Sequence, residues 1–283
     1  MRGRVQLVLT AALLASTVAA APGSARRSVE AHGGAFFSNC KFSHTGPDDP
    51  IVYPRQPGNS HPHTFFGNRS TDANSTLASL RAAGTTCAPR ADTAAYWVPT
   101  LYLGGREIRP SKVQAYYVMK AVKTMRAFPP GLRIIAGDAH ARHAQSTQVT
   151  YWSCGAPAFH TAPSERVPTC STVSTPFGAA KTFLELNVIF PDCWDGRHLD
   201  SPDHQSHMAY SRNRVCGASH PVKVPRLRLI IRYPIQGGPA VSLASGGQLT
   251  GHGDFFNAWN QRFLARLVDS CFHQRGCDPE APL

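Results

Sequence analysis

Short runs of β-branched and aromatic residues, bounded by glycine or proline, recur along the chain and predict strands. The six clearest runs cover residues 96–103, 113–122, 132–136, 147–152, 182–190 and 227–233. Their alternation of apolar and polar positions is imperfect, as expected of strands inside a sandwich. The pattern therefore predicts a β-rich α+β fold with an antiparallel β-sandwich-like core and long functional loops.

Two segments have the three- to four-residue spacing of helices instead. One is a short helix over 75–83, and the other is an amphipathic C-terminal helix over 254–269. One face of the second helix is formed by Phe256, Trp259, Phe263 and Leu267. Asp254 is the expected N-cap of this helix, and we expect its aromatic residues to pack in the core.

The first 21 residues follow the order of a secretory signal peptide. Arg2 and Arg4 precede an apolar run over 5–14, and small residues follow as far as Ala21. The apolar run is too short to span a bilayer, so we predict a secreted protein without a transmembrane anchor. The predicted organisation is a signal peptide over 1–21, a linker over 22–31, one globular domain over 32–277 and a tail over 278–283.

The cysteine and charge counts agree with export. Eight cysteines without a CxxC pair predict up to four disulfides, of which the local pair Cys271–Cys277 is the simplest to propose. The 29 Lys and Arg residues exceed the 17 Asp and Glu residues, which gives a formal net charge of +12. Such a charge favours polyanionic partners, and secretion argues against nucleic acid among them.

The 13 histidines are concentrated, together with acidic residues, in loops rich in proline and glycine. The first such patch contains Asp49, His61, His63 and Asn68. Residues two apart in extended chain point to the same side, so His61 and His63 can converge on one metal ion or one substrate oxygen. Metal binding, acid–base chemistry and a structural polar network all remain open for this pair.

A second patch, over 191–210, follows the apolar run at 182–190. It contains Trp194, Asp195, Asp200, Asp203, His204, His207 and Tyr210. Carboxylates in such a cluster can divide general acid and general base roles if their environments separate their pKa values. The alternative is structural, because Asp residues in loops of this composition form Asx-turns.

Two smaller patches complete the set. His220 precedes the run at 227–233, and His252 and Asp254 lie in a turn that we expect to enter the C-terminal helix. An anion at that turn would be stabilised by the helix N-terminus. The sequence contains no GxSxG, Walker, HExxH or Rossmann glycine motif, so the corresponding chemistries lose their usual support.

These patches together resemble the domain-of-unknown-function family numbered nineteen ninety-six. Six segments in the same order carry the resemblance: residues 37–40, 49–54, 60–68, 193–210, 219–222 and 253–259. The family occurs in secreted proteins of filamentous fungi and actinomycete-type bacteria and has no assigned activity. Its members often accompany carbohydrate-binding or cell-wall-sensing modules, which implies an extracellular polysaccharide or cell-wall glycan as partner. The matching motif positions here are Asp49, His61, His63, Asn68, Asp195, Asp200, Asp203, His204, His207, His220 and Asp254.

The leading hypothesis is a secreted polysaccharide-active enzyme that requires no cofactor, although a divalent metal ion is compatible with it. Its expected catalytic residues are His61, His63, Asp195, Asp200, Asp203, His204, His207 and Asp254. Its expected substrate-binding residues are Asp49, Asn68, Trp194, Tyr210, His220 and His252. A hydrolase would use a raised-pKa carboxyl among Asp195, Asp200 and Asp203 as acid. A lyase would use His61 or His63 as base and Tyr210 as acid.

Two alternatives belong to other classes. A non-catalytic cell-wall or glycan-binding module would use the histidines and acids as a buried network or a structural metal site. A copper-type redox protein would use His61, His63 and another histidine as ligands.

Overall fold

The structure is a computed structural model that describes residues 31–32, 34–118, 124–156, 159–176 and 178–273. The predicted signal peptide and tail, and almost all of the linker, lie outside the described residues. The first ten strands are β1 (Ala31–His32), β2 (Ala35–Cys40), β3 (Phe42–Gly46), β4 (His63–Gly67), β5 (Ala95–Pro99), β6 (Leu101–Leu103), β7 (Arg106–Glu107), β8 (Lys112–Val118), β9 (Arg133–Gly137) and β10 (Thr150–Ala156). The second ten are β11 (Phe159–His160), β12 (Thr172–Thr175), β13 (Gly178–Lys181), β14 (Phe183–Ile189), β15 (Cys193–Trp194), β16 (Met208–Ala209), β17 (Val222–Lys223), β18 (Arg226–Arg232), β19 (Val241–Leu243) and β20 (His252–Phe256).

Two antiparallel sheets form the centre of the fold. One has seven strands in the order β1-β2-β8-β18-β14-β10-β11, and the other has five in the order β3-β4-β5-β20-β9. Residues of both sheets meet in one hydrophobic core, and the hydroxyls of Tyr96 and Tyr117 join the sheets directly at 2.6 Å. The β-rich sandwich-like core is therefore confirmed, and each of the six predicted strand segments contains a strand with shifted ends.

The five-stranded sheet is covered on both faces. Its inner face contributes Phe66, Tyr96 and Phe255 to the shared core. Its outer face packs Phe65 and Trp97 against residues of the surrounding loops and of helix α1 (Leu77–Ala82). Because loops cover this outer face, polar side chains that point outward from its strands are buried as well.

The C-terminal helix begins later than the sequence pattern predicts. Helix α2 runs over Gln261–Val268, with Asn260 as N-cap, and a π-helical turn follows over Asp269–His273. Asp254 and Phe256 instead belong to β20, so the prediction that Asp254 caps the helix is wrong. The aromatic spacing was misleading because β20 is a central strand that is covered on both faces. Phe255 is buried on one face and Phe256 on the other, so the strand lacks the alternation of apolar and polar residues.

Three disulfides are present among the described residues: Cys40–Cys87, Cys154–Cys170 and Cys193–Cys216. Cys271 is also disulfide-bonded, but Cys277, its predicted partner, lies outside the described residues. No helix in the described part of the chain is long and apolar enough to cross a membrane. The single domain over 32–277 stays a prediction.

Candidate metal centre

Two interior strands that begin at the same end of the five-stranded sheet bring distant histidines together. His63 is the first residue of β4 and His252 the first residue of β20, and both strands pair antiparallel with β5. His63 lies opposite Pro99, the last residue of β5. Asp254 lies opposite Trp97, so continuing the register by two residues places His252 beside Pro99 as well. The two histidines therefore flank the end of β5, although 189 residues separate them.

His61 completes a group that we call the histidine cluster: His61, His63 and His252. The Nε2 atom of His252 lies 3.2 Å from Nε2 of His61 and 3.5 Å from Nε2 of His63. The three ligand atoms all lie within 4.8 Å of one another. The predicted convergence of His61 and His63 is thus found, and His252, expected to contact substrate, joins them.

Main-chain carbonyls fix the orientation of two of these rings. Nδ1 of His63 donates to the carbonyl oxygen of Asp48 at 3.0 Å, and Nδ1 of His252 donates to that of Thr250 at 2.8 Å. A neutral imidazole that carries its proton on Nδ1 has a lone pair on Nε2. The two Nε2 atoms that face each other are therefore both acceptors, and no hydrogen bond can join them. A cation between them would satisfy both.

The spacing of the cluster fits metal coordination. Two nitrogens bound tetrahedrally at about 2.0–2.1 Å from a zinc ion lie about 3.3 Å apart, and the observed separations are 3.2 and 3.5 Å. Ligating histidines in proteins characteristically donate their other ring N–H to a carbonyl or carboxylate, as His63 and His252 do. Imidazole ligands suit zinc, copper, iron and nickel.

Burial keeps the cluster uncharged. It lowers the pKa of His61 and lowers the pKa of His63 well below its ordinary value, with the neighbouring His252 and His61 adding to the effect on His63. Burial also lowers the pKa of His252 to about 4. At neutral pH the three rings are neutral, which is the form that binds metal. Only His61 is partly exposed, so solvent reaches the cluster from its side.

Two buried carboxyl groups adjoin His63. Asp49, His63 and Asp254 also place one ligand atom each within 4.8 Å of one another. Burial raises the pKa of Asp49, although backbone N–H groups of Val52 and Ile51 oppose the shift. Burial raises the pKa of Asp254 well above its ordinary value, and the nearby Asp49 adds to this. Asp254 Oδ2 has no hydrogen-bond partner among the described residues, and a proton or a cation would satisfy it.

The loop over 191–210 lies beside this site and is anchored to β9. Arg133 donates to Asp200 at 3.1 Å, and its carbonyl accepts a hydrogen bond from His207 Nε2 at 2.7 Å. Asp200 also pairs with His204 at 2.9 Å. His204 is close enough to Asp49 to lower its pKa. The loop therefore approaches the centre through His204, while His207 is buried and holds the loop in place.

Two of the three carboxylates predicted as catalytic acids, Asp195 and Asp203, have lowered pKa values. Burial alone would raise the pKa of Asp195, but hydrogen bonds from the backbone of His198 and Arg197 outweigh it and lower the pKa. A hydrogen bond from Ser201, with others from the backbone, lowers the pKa of Asp203. Both side chains accept two backbone N–H groups, which is the Asx-turn alternative. Neither is the raised-pKa acid that the hydrolase hypothesis requires.

The remaining predicted binding residues have structural contacts. The amide group of Asn68 is fully buried and donates to the carbonyls of Leu80 and Thr93. Trp194 donates to the carbonyl of His198 at 2.6 Å. These two side chains hold loops, and their role in substrate contact stays a prediction.

Tyr210 and His220 are held in the same way. Tyr210 donates to the carbonyl of Ile189 at 2.8 Å, and burial raises the pKa of its hydroxyl, so it is a poor proton donor. His220 lies 2.9 Å from the carbonyl of Ser206, to which its Nε2 donates. The structure brings neither residue into the histidine cluster.

The sequence patterns missed two exposed residues next to the cluster. Asp138 raises the pKa of His252, and His140 lowers the pKa of both His61 and His252. Both follow β9, which pairs with β20 and ends opposite His252. Their spacing of two after a predicted strand was the available signal.

The fold and site define a β-sandwich protein with a buried cluster of histidine and aspartate side chains at one end of the five-stranded sheet. A family model described as "Domain of unknown function (DUF1996)" matches residues 49–259, and the chain belongs to that family. The matched region begins at Asp49 and includes the whole histidine cluster. A comparison with curated proteins found no match, and neither did a comparison with solved structures.

Proposed function

We propose that the protein is an extracellular metal-dependent enzyme acting on polysaccharides, with His61, His63 and His252 as the metal ligands. One observation carries the metal centre: two Nε2 acceptors face each other at 3.5 Å with a third imidazole nitrogen beside them. Three protein ligands leave a coordination position open for water or substrate, as in catalytic zinc sites. The partial exposure of His61 supports access to that position.

The distribution of carboxyl groups supports metal-based chemistry over a two-carboxylate hydrolase. A glycosidase acid must combine a raised pKa with access to the substrate. Asp49 and Asp254 have raised pKa values but are only 4% and 1% exposed. Asp195 and Asp203, which lie in the 191–210 loop, have lowered pKa values.

The extracellular location rests on the disulfides and on the predicted signal peptide. Three disulfides among the described residues are typical of proteins that fold in an oxidising compartment. The polysaccharide partner rests on the implication of the family motifs and on the basic net charge of +12.

Metal titration tests the centre. Protein freed of metal with a chelator is titrated with Zn²⁺ and with Cu²⁺ by calorimetry, and we expect one ion per chain. His61→Ala and His252→Gln should weaken binding at least about tenfold, because each removes one ligand. His143→Ala, an exposed histidine outside the cluster, is the matched control and should bind like the wild type. Equal affinity in all four proteins would disprove the centre.

Activity is tested on a panel of neutral and acidic polysaccharides with metal-loaded and metal-free protein. New reducing ends without unsaturation indicate hydrolysis, and absorbance from a conjugated double bond indicates elimination. We expect product only with metal-loaded protein, and none with His61→Ala. Product formation that survives complete metal removal would contradict the proposal.

One observation favours a second candidate, a non-catalytic glycan-binding module with a structural metal site. His63 and His252 are only 0% and 4% exposed, which resembles a closed structural site more than an open catalytic one. This candidate predicts that metal raises the melting temperature and that glycans bind without any product. The product assay therefore separates the two candidates, because both of them bind metal in the titration.

A further inference from the structure

A groove away from the histidine cluster is lined by unpaired positive charge. It has a volume of about 1580 Å³ and lies between the end of β2, strand β3, the start of β8 and the loops that follow β4. Its cationic residues are Lys41, Arg69, Arg90 and Lys112, and no Asp or Glu lines it. We call it the basic groove. Ordinary small-molecule pockets are about 300–1,000 Å³, so this groove has room for several units of a polymer.

The four cations are exposed and available to a ligand. Within the described residues, none of them pairs with a carboxylate, whereas Arg133, Lys223, Arg226 and Arg232 all do. Two acids lie near the groove without lining it: Glu107 is engaged by Thr45 and Arg109, and Asp92 is fully buried behind the Cys40–Cys87 disulfide. Four uncompensated cations in a concave surface create a positive potential that attracts an anionic chain.

The floor of the basic groove is rigid. The Cys40–Cys87 disulfide joins the end of β2 to the loop that follows α1. Asn39 and Ala88 exchange two backbone hydrogen bonds, of 3.1 and 2.9 Å, next to it. Thr86 adds a hydrogen bond to the carbonyl of Lys41 at 2.7 Å. A preformed floor lowers the entropy that is lost when a flexible polymer binds.

The other lining groups favour a sugar polymer over nucleic acid or a membrane. Single-stranded nucleic acids require exposed aromatic rings on which bases stack, but Phe37 is buried and Arg109 covers the ring of Phe42 at 4.9 Å. Insertion into a membrane surface uses large exposed apolar side chains, and none of the groove residues is one; its lining includes the polar residues Asn39, Ser43, Ser70 and Ser111. Arginine binds carboxylates through two parallel hydrogen bonds.

We infer that the basic groove binds an anionic polysaccharide whose sugars carry carboxylates. The groove does not include the histidine cluster, but packed rings connect the two: His44 lines the groove and stacks on Phe65 at 4.7 Å, and the ring of Phe65 lies 6.2 Å from that of His63. That the bound polymer is also the substrate rests on the proposed function. The binding itself does not require metal.

The test measures binding of polygalacturonate and of its fully methyl-esterified form, which has the same backbone without charge. The groove variant carries Arg69→Glu and Lys112→Glu. The control variant carries Lys181→Glu and Arg212→Glu, two exposed residues outside the groove, and changes the net charge equally. We expect the groove variant to lose at least about tenfold in affinity for polygalacturonate, and the control variant less than about twofold.

Several results would overturn the inference. They are equal losses in both variants, equal binding of the esterified polymer, and tighter binding of a single-stranded oligonucleotide or of anionic lipid vesicles. His63→Ala in metal-free buffer separates this inference from the proposed function, because it should bind polygalacturonate as the wild type does. If the wild type binds metal and forms product while the groove variant keeps its full affinity for polygalacturonate, the inference about the basic groove is wrong and the proposed function stands.

Discussion

Asp254 shows at the scale of one residue how a functional centre departs from ordinary packing. Its carboxyl group is 1% exposed, has an unpartnered oxygen and lies near the carboxyl group of Asp49. A buried polar atom without a partner costs about 1–3 kcal/mol. A proton or a cation held at this carboxyl group would remove that cost.

Asp254→Asn tests this cost in the metal-free protein. The substitution keeps the shape of the side chain and no longer requires a proton to be taken up on folding, so the free energy of unfolding at neutral pH should rise by about 1 kcal/mol or more. Urea unfolding at neutral pH measures the change. Asp72→Asn is the control, because Asp72 is exposed and an amide oxygen can still accept the hydrogen bonds from Asn74 and Ser75, so stability should be unchanged. A less stable Asp254→Asn would show that the carboxylate has a favourable partner.

The convergence of His61 and His63 was predictable from the sequence, but the addition of His252 to the cluster was not. His61 and His63 are neighbours in the chain, so their spacing of two was enough to suggest convergence. His252 is brought to them by strand pairing, which no local pattern encodes. The Asp residues of the 191–210 loop misled because the residue types that suit acid–base chemistry also form Asx-turns.

At the scale of the elements, β9 and β20 approach each other unusually closely beside the site. Gly137 lies opposite His252 at a φ of 88°, and a Cβ atom there would lie 2.5 Å from the carbonyl oxygen of Gly251. The same Cβ would lie 2.8 Å from Cα of His252. Glycine at this position thus lets the first residue of β20 reach the cluster.

Gly137→Ala should therefore both destabilise the fold and weaken metal binding. We expect a loss of about 1–3 kcal/mol in the free energy of unfolding, and an affinity for Zn²⁺ lowered at least severalfold by displacement of His252. Gly105→Ala is the matched control, since Gly105 has a φ of 82° with nothing within 4 Å of the added atom. It should lose stability from backbone strain alone. Unchanged Zn²⁺ affinity in Gly137→Ala would contradict this account.

The strands were more predictable than the boundary of the last helix. Runs such as 182–190 and 227–233 became β14 and β18, because β-branched and aromatic residues suit a buried sheet. At 252–260 the spacing of Phe256 and Trp259 continues that of α2, and local periodicity cannot separate a buried strand from the helix that follows it.

At the scale of the whole molecule, a buried polar network ties the two sheets together. Tyr96 of β5 donates to Asp92 at 2.8 Å and contacts the Tyr117 hydroxyl of β8. Trp259, just before α2, donates to the same Tyr117 hydroxyl at 2.9 Å. Burial raises the pKa of Asp92 to about 7, so the folded protein holds a proton there that the unfolded chain releases near pH 4.

This network gives the stability of the protein a defined pH dependence. Because the folded state binds more protons between about pH 4 and 7, the contribution of Asp92 to the free energy of unfolding falls as pH rises through that window. The fall is on the order of a few kcal/mol. Asp92→Asn should flatten the pH dependence, as measured by urea unfolding at several pH values.

Asp138→Asn, at an exposed position, is the control for that series and should keep the wild-type slope. A wild-type slope in Asp92→Asn would show that Asp92 is ionised throughout the range.

The separation of 189 positions between His63 and His252 also determines when the proposed ion can be captured. A nascent chain that ends before β20 has one imidazole pair and no third donor, and it cannot align that donor until the last central strand has docked. Under the proposed function, loading therefore follows synthesis and docking of β20. The compartment where folding finishes would then decide which ion is taken up, because metal availability sets occupancy at a histidine site.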